Sequence, residues 1–293
     1  MTYNNSHHIK PKVSVGMPIR NGGELLQRAL ESVLNQTFTD IEIIISDNGS
    51  TDGSTELLKS YAKLDNRIRY FFQDPQLSVL ANFDFVRQEA RGEYFFWAAH
   101  DDFRSSDFIS VLLNAIENDR NSVLAFCDVV LIDSNSKISS CPNPDFHTEG
   151  LSIYKRIKKE SAIHCYHIYG LWRLSDLMKI PLPDCAFGPD KAFLLSASII
   201  GPFLYVPGPT FFYYFDDDKK YIDESYRYKQ LFDLLLSIFH NCNATGNIFL
   251  GIYAVNNYGK SLFKQTFVRL LKQRIGQGNY TKIISAKNSI SRR

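Results

Sequence analysis

The sequence predicts an α/β fold, a largely parallel sheet flanked by helices. Three strand-forming runs, at residues 13–17, 41–46 and 94–99, each stop at a short polar segment. Segments with apolar residues at helical spacing lie between them. Strands alternating with helical patterns of this length describe βαβ units, whose strands run parallel.

The first strand carries Val13, Val15 and Met17 and runs into Pro18, Ile19, Arg20 and Asn21. Leu25, Leu26, Ala29, Leu30, Val33 and Leu34 then mark a helical stripe. Asn21, with Glu24 three residues on, suits a capping box at its start. The second strand, 41–46, leads into Asp47, Asn48, Gly49 and Ser50, which is strong turn chemistry. Leu57, Leu58, Tyr61 and Ala62 repeat the helical pattern, with Asp52 as its cap. Residues 67–73 read as a strand and 78–90 as a helix that Gly92 ends before the third run. Residues 107–118 follow as a helix and 122–132 as a strand that brings Asp128 toward its end.

The middle of the chain is less regular. Residues 134–150, rich in Ser, Asn and Pro, read as a loop, and 154–160 as a short basic helix. Residues 203–215 read as two short antiparallel strands split by Pro207, Gly208 and Pro209. From Ile222 the pattern is helical, with Phe263, Phe267, Leu270, Leu271 and Ile275 on one stripe and Lys and Arg opposite.

Composition narrows the function classes. The 293 residues are 44% hydrophobic and 14% aromatic, enough for a substantial core and far from the disordered class. Five scattered cysteines without a paired spacing suit a reducing cytoplasm. The polar start has no apolar core of a signal peptide, and no run of ~20 apolar residues offers a membrane span. The formal net charge is +2, but its distribution is uneven: after Asp233 every charged residue is basic, from Lys260 to Arg293. A basic amphipathic segment reads as a peripheral contact with an anionic membrane, or as an ordinary charged helix face. No nucleic-acid-binding motif accompanies the charge.

The chemistry sits where the strands end. In open α/β sheets ligands bind at the carboxyl ends of the strands. A carboxylate at Asp47 can accept a base N–H or a ribose hydroxyl, or it can cap its own turn. Asp101 and Asp102, after His100, repel one another unless a cation or solvent compensates. Hard oxygen ligands completed by phosphates describe a Mg²⁺ or Mn²⁺ nucleotide site, while a solvated cap of the next helix is the alternative. Trp172 can stack on a sugar or pack in the core, and Trp97 reads as core.

These residues, in this order, resemble inverting nucleotide-sugar glycosyltransferases of family 2. The resemblance runs from Val13–Pro18 through Asn21, the segment 32–38, Asp40, the strand into Asp47–Gly53, Asn82, residues 90–94 and Asp101–Asp102. A weaker likeness covers 169–171, 188–190 and 204–215. It implies a GT-A type fold: a nucleotide-binding mixed sheet flanked by helices, with a helical C-terminal extension. The expected divisions are a disordered 1–11, a glycosyltransferase domain over 12–220 and a basic helical extension over 221–293. Within the domain, 12–120 would be the nucleotide-sugar half and 121–220 the acceptor half.

The resemblance also implies roles. Pro18, Ile19, Arg20, Asn21, Asp47, Asn48 and Asn82, together with Asp101 and Asp102, would bind the nucleotide-sugar, a UDP-sugar being the expected donor. Asp101 would bind a divalent cation, Mg²⁺ or Mn²⁺, and Asp190 would be the general base. A helix N-cap is the other reading of Asp190, after Gly188 and Pro189. The acceptor would be a saccharide or a lipid-linked glycan in surface polysaccharide synthesis, handled in the cytoplasm or at the inner membrane face. Two positions depart from the family pattern. Ala99 replaces the first carboxylate of the Asp-x-Asp motif, and Tyr213–Asp216 lacks the usual Arg and His, so three alternatives stand: a weaker cation site, one completed by Asp216, Asp217 or Asp218, or none. Ala99 favours a rival, a nucleotide-sugar-binding protein without turnover, which the retained Asp101, Asp102 and Asp190 oppose. A phosphoacceptor regulatory domain also gathers aspartates at strand ends, but the long chain after residue 130 argues against it.

Overall fold

The computed structural model describes residues 10–133, 138–140, 146–183, 188–215, 237–241 and 250–260. Its core opens with β1 (Val13–Ile19), followed by a 3-10 turn (Gly23–Leu25) and α1 (Leu26–Leu34). Then come β2 (Ile41–Asp47), α2 (Ser54–Leu64), β3 (Ile68–Phe72), α3 (Val79–Gln88) and β4 (Tyr94–Trp97). β5 (Phe103–Arg104), α4 (Phe108–Asn118) and β6 (Leu124–Ile132) lead to β7 (Ile138–Ser140) and α5 (Ile153–Glu160). A second 3-10 turn (Tyr166–Tyr169), β8 (Leu171–Arg173), α6 (Leu174–Leu177), α7 (Pro189–Ile200) and β9 (Phe203–Tyr214) complete the named elements. Residues 237–241 and 250–260 are helical.

The described strands form a nine-stranded mixed sheet in the order β3-β2-β1-β4-β8-β6-β9-β5, with β7 beside β6. β3, β2, β1 and β4 are parallel. The short β8 runs antiparallel to both β4 and β6 and so joins the parallel half to the rest. β1 and β2 are buried along their whole length because helices cover both faces. On one face Val13, Val15 and Met17 pack with Leu26 and Leu30 of α1 and with Phe108 and Leu112 of α4. On the other, Phe95, Trp97 and Val86 pack with Trp172, Phe193 and Phe203. Gly16 is small for a reason: an added Cβ would lie 2.6 Å from Phe95 and 2.7 Å from Val86.

Four expectations change. The capping box at Asn21 does not form, and neither the first 3-10 turn nor α1 has a side-chain cap. Asn21 instead turns the chain at φ 50°, a conformation its short polar side chain tolerates, and its Oδ1 accepts Thr51 N–H at 2.9 Å. Residues 203–214 are one strand, parallel to β6, not two antiparallel pieces. Pro207, Gly208 and Pro209 sit where the register with β6 shifts, so the prolines cost no ladder bond and Gly208 takes φ 117°. The stretch 134–150 contains β7, antiparallel to β6. Asp128 lies mid-strand, accepting the Tyr205 hydroxyl at 2.6 Å, and not at a strand end. Among the described residues no helix is long and apolar enough to cross a membrane. Most of the basic segment after Lys260, its apolar stripe, and Asp216, Asp217 and Asp218 lie outside the described residues.

Candidate active site

The carboxyl ends of β1 and β2 carry two loops laced together by hydrogen bonds. Asn21 N–H donates to Ser50 Oγ, Gly22 N–H to Ser54 Oγ and Gly23 N–H to Asp52 Oδ2, at 2.9 to 3.0 Å. Asp52 also accepts Ser54 N–H at 3.1 Å, so it does bind the start of α2 as a cap would, although Gly53 holds the N-cap position itself. Pro18 and Ile19 are buried at the strand end, and Arg20 projects into solvent.

Beneath these loops, three of the expected binding residues are committed to the scaffold. Asp47 is 0% exposed and accepts Thr55 Oγ1–H at 2.6 Å, Tyr70 O–H at 2.9 Å and Ser50 N–H at 2.9 Å. Burial works to raise its pKa, but the bonds from Thr55, Ser50 and Tyr70 outweigh it and hold the carboxyl below its ordinary value. Asn48 donates to Leu77 O at 2.9 Å and accepts Leu77 N–H at 2.7 Å, bracing the chain before α3. Asn82 accepts Ser46 Oγ–H at 2.6 Å.

The acidic pair beyond β4 is built differently. Asp101 is half-buried, and Asp102 is 1% exposed, so the pair is not a solvated helix cap. Asp102 Oδ1 accepts Tyr214 N–H at 2.9 Å, whereas its buried Oδ2 has no hydrogen-bond partner among the described residues. Burial, and then the charge of Asp101, push Asp102 up to about 7. Two residues on, Arg104 is buried between the rings of Phe96, Phe108 and Phe211, at 4.8 to 5.3 Å from their centres. One nitrogen donates to Trp97 O at 2.7 Å, while Nε and Nη1 have no hydrogen-bond partner among the described residues. Burial lowers Arg104 to about 10, and Asp102 works against that shift.

Asp190 stands in the first turn of α7. The N-cap is Gly188, in left-handed conformation at φ 61°, and no side chain caps the helix, so Asp190 is not the cap. Its carboxylate is accessible, yet enough protein surrounds it that burial raises its pKa, with Lys191 pulling the other way. Beside it opens a cavity of about 220 Å³, lined by Val79, Leu80, Phe83, Trp97 and Tyr169 among others. Burial raises Tyr169 well above its ordinary value and Tyr213 to about 12, and the charges of Asp190, Asp101 and Asp102 add to both shifts. The fold therefore brings Asp190 into the same electrostatic neighbourhood as the acidic pair, about ninety positions away in sequence. Trp172 is excluded from this cleft. It is 0% exposed, edge-on to Phe193 and Phe203, and its Nε1–H donates to Ile168 O at 2.8 Å.

Tyr213, Arg104 and the place of Tyr169 in the cavity lining were not legible as site features. Tyrosine and arginine carry no local signature for burial beside a distant carboxylate.

The family described as Glycosyl transferase family 2 matches residues 14–174, more than half of the chain. The chain belongs to that family. The matched region of this family 2 chain holds both laced loops and the Asp101–Asp102 pair, and it ends just after β8. An uncharacterized glycosyltransferase of Rickettsia typhi is 32% identical over 157 residues, 53% of this chain and 48% of the relative. The GalNAc(5)-diNAcBac-PP-undecaprenol beta-1,3-glucosyltransferase of Campylobacter jejuni is 31% identical over 154 residues, 52% of this chain and 48% of the relative. These alignments span about half of the relatives' own length. Among solved structures, TarS 1-349 of S. aureus in complex with UDP-GlcNAc superposes with a TM-score of 0.64 at 14% identity, covering 86% of this chain and 73% of that one. At that identity the likeness speaks for the fold alone, a GT-A type mixed sheet flanked by helices, as the sequence predicts.

Proposed function

We propose that this family 2 chain is an inverting glycosyltransferase that moves a sugar from a nucleoside-diphosphate donor, a UDP-sugar, to an acceptor hydroxyl. The nucleotide lies against Pro18, Ile19, Arg20 and Asn21, over the loop that Asp47, Asn48 and Asn82 hold from beneath. The diphosphate and donor sugar lie toward Asp101 and Asp102. The observation that carries the reading is Asp190, an exposed residue lining the same cavity as Tyr169, a tyrosine whose surroundings also include the charges of Asp101 and Asp102. A base must reach the proton that it removes, and its pKa must suit the working pH.

The reaction follows from these positions. The acceptor oxygen bonds to the anomeric carbon as the bond from that carbon to the diphosphate oxygen breaks. Asp190 takes the acceptor's proton, and the diphosphate leaves with the bonding electrons. A single displacement inverts the anomeric centre, by the stereochemical logic of inverting glycosidases.

The acidic pair fits a divalent cation, because among the described residues the buried Oδ2 of Asp102 has no hydrogen-bond partner beside the half-buried Asp101. Asp101, backed by Asp102, would hold Mg²⁺ or Mn²⁺, which when bound offsets negative charge on the diphosphate. The acceptor is a saccharide or a lipid-linked glycan. The undecaprenol diphosphate in the name of the Campylobacter relative supports that class, and the basic residues after Asp233 supply charge for an anionic leaflet at the cytoplasmic face.

Thermal shift and transfer assays with UDP-, GDP-, CDP- and dTDP-sugars, with and without Mn²⁺, test the reading. A ligand at 100 times its Kd stabilises by about 2.7 kcal/mol, a visible shift. A shift with one donor plus sugar transfer is expected. Binding without transfer, the outcome that Ala99 favours, would leave a nucleotide-sugar-binding protein. No shift with any donor would overturn the proposal.

A further inference from the structure

Behind Asp190 lies a buried ionic cluster that the reaction does not touch. Lys191 turns inward from α7 and spends all three ammonium protons, on Glu160 Oε1 at 2.7 Å, Glu160 O at 2.8 Å and Ile163 O at 2.9 Å. The other carboxylate oxygen of Glu160 meets His167 Nε2 at 2.9 Å. Glu160 is 0% exposed, and Lys191 and His167 are nearly as buried. The ring of His167 is itself packed between Phe126, Phe146 and Phe203.

The cluster ties together three elements that converge on the site. Glu160 ends α5, Lys191 adjoins Asp190, and His167 lies in the 3-10 turn that ends at Tyr169. Stability alone is a weak reason to keep such a cluster. Burying charges is costly, and well-packed apolar replacements are often as stable or more so. Position is a better reason, since α7 begins at a left-handed glycine with no side-chain cap, and the Lys191 bonds anchor its first turn.

We propose that Glu160, Lys191 and His167 form a buried clamp that aims Asp190 into the cleft and keeps a positive charge beside it. They are positioning residues, and the proposal rests on the reading of Asp190 as the base. The groups facing Asp190 agree with it. Burial pushes Cys165 and Tyr213 up to about 12 and Tyr169 well above its ordinary value, so all three stay neutral at working pH. Asp101 and Asp102 act on the same two tyrosines with negative charge. Lys191 is the cation that opposes the burial of Asp190. Glu160 in turn holds Lys191 protonated against its own burial.

Lys191→Met and Glu160→Gln test the clamp, by the pH profile of kcat/KM and by carbon-13 NMR titration of aspartate-labelled protein, with Asp190→Asn assigning the signal. In Lys191→Met the Asp190 titration and the acidic limb of the profile should both move up by about one pH unit, because a neighbouring cation favours the carboxylate. kcat should fall by about tenfold or more at neutral pH with donor KM unchanged, as expected when a base is misplaced. Glu160→Gln should shift both in the same direction by less, and it carries the test if Lys191→Met does not fold. A merely structural cluster would lower the melting temperature and leave both titrations in place, which would overturn the proposal. A moved NMR titration in an enzyme whose rate ignores Asp190→Asn would keep the clamp and retire Asp190 as the base.

Discussion

Asp47, at the end of β2, and Asp102, just beyond β4, are both buried, and their strands flank the same central strand β1. Asp47 receives three hydrogen bonds and has a lowered pKa. Among the described residues Asp102 receives one and keeps an oxygen without a partner, and burial pushes it up to about 7. The β1–β2 side of the cleft is thus a finished scaffold, while the side carrying Asp102 holds a carboxylate with one oxygen unsatisfied among the described residues. A buried polar group without a partner costs free energy, and a bound substrate or ion would offset that cost under the proposed function.

The largest expected effect lies on the unsatisfied side. Asp190→Asn should lower the transfer rate by about 10²- to 10⁴-fold, the usual range for a lost general base. The diphosphate thermal shift should stay unchanged, and a parallel loss of binding would remove the distinction between the two sides. If Asp190 is the base, its raised pKa should place the loss of wild-type activity on acidification at a higher pH than an ordinary aspartate would, read from the pH profile of kcat.

Asp47→Asn comes next. It should destabilise the protein by about 3 kcal/mol at neutral pH, since several buried donors lose a charged acceptor. The sign with pH follows from the lowered pKa. The carboxylate's contribution is complete above its unfolded value near 4 and is lost as pH falls through the lower folded value. Urea unfolding at pH 7 and in acid should therefore show the variant and the wild type converging as the solution is acidified. A constant difference across that range would mean that the charge of Asp47 is irrelevant.

Asp102→Asn should do the opposite in chelator-treated protein. Removing a buried, under-satisfied charge should stabilise the fold by about 1–2 kcal/mol, read as a higher melting temperature, while transfer is lost. Destabilisation would show that Asp102 is structural, like Asp47. Smallest of all, Arg20→Ala should raise the donor KM by about threefold to fivefold at low salt, with the difference fading at high salt because an exposed charge is screened. A salt-independent effect would place Arg20 in direct, desolvated contact with the donor.

The first half of the fold is nearly all legible in the chain. Its strands end within a residue or two of the turn residues that mark them, and Ser78 caps α3 where the helical pattern begins. Periodicity and turn chemistry are local, so they survive without tertiary information. The misreadings fall where partners are distant. β9 reads as two pieces because Pro207 and Pro209 look like breaks until β6 supplies the register that absorbs them. Asn21 looks like a helix cap until Thr51, thirty residues away, takes its side chain.

The candidate site divides in the same way. Sequence alone determined which residue types stand at the strand ends, which carboxylates are available there, and the family they resemble, because order along the chain carries that information. Tertiary structure alone decided what each carboxylate does. Asp47 and Asp102 look equivalent as letters, and only folding gives one Thr55 and Tyr70 and leaves the other an oxygen unpaired among the described residues. It also set Glu160 and His167 behind Asp190, since burial and charge pairing depend on distances in space that the spacing of residues does not encode.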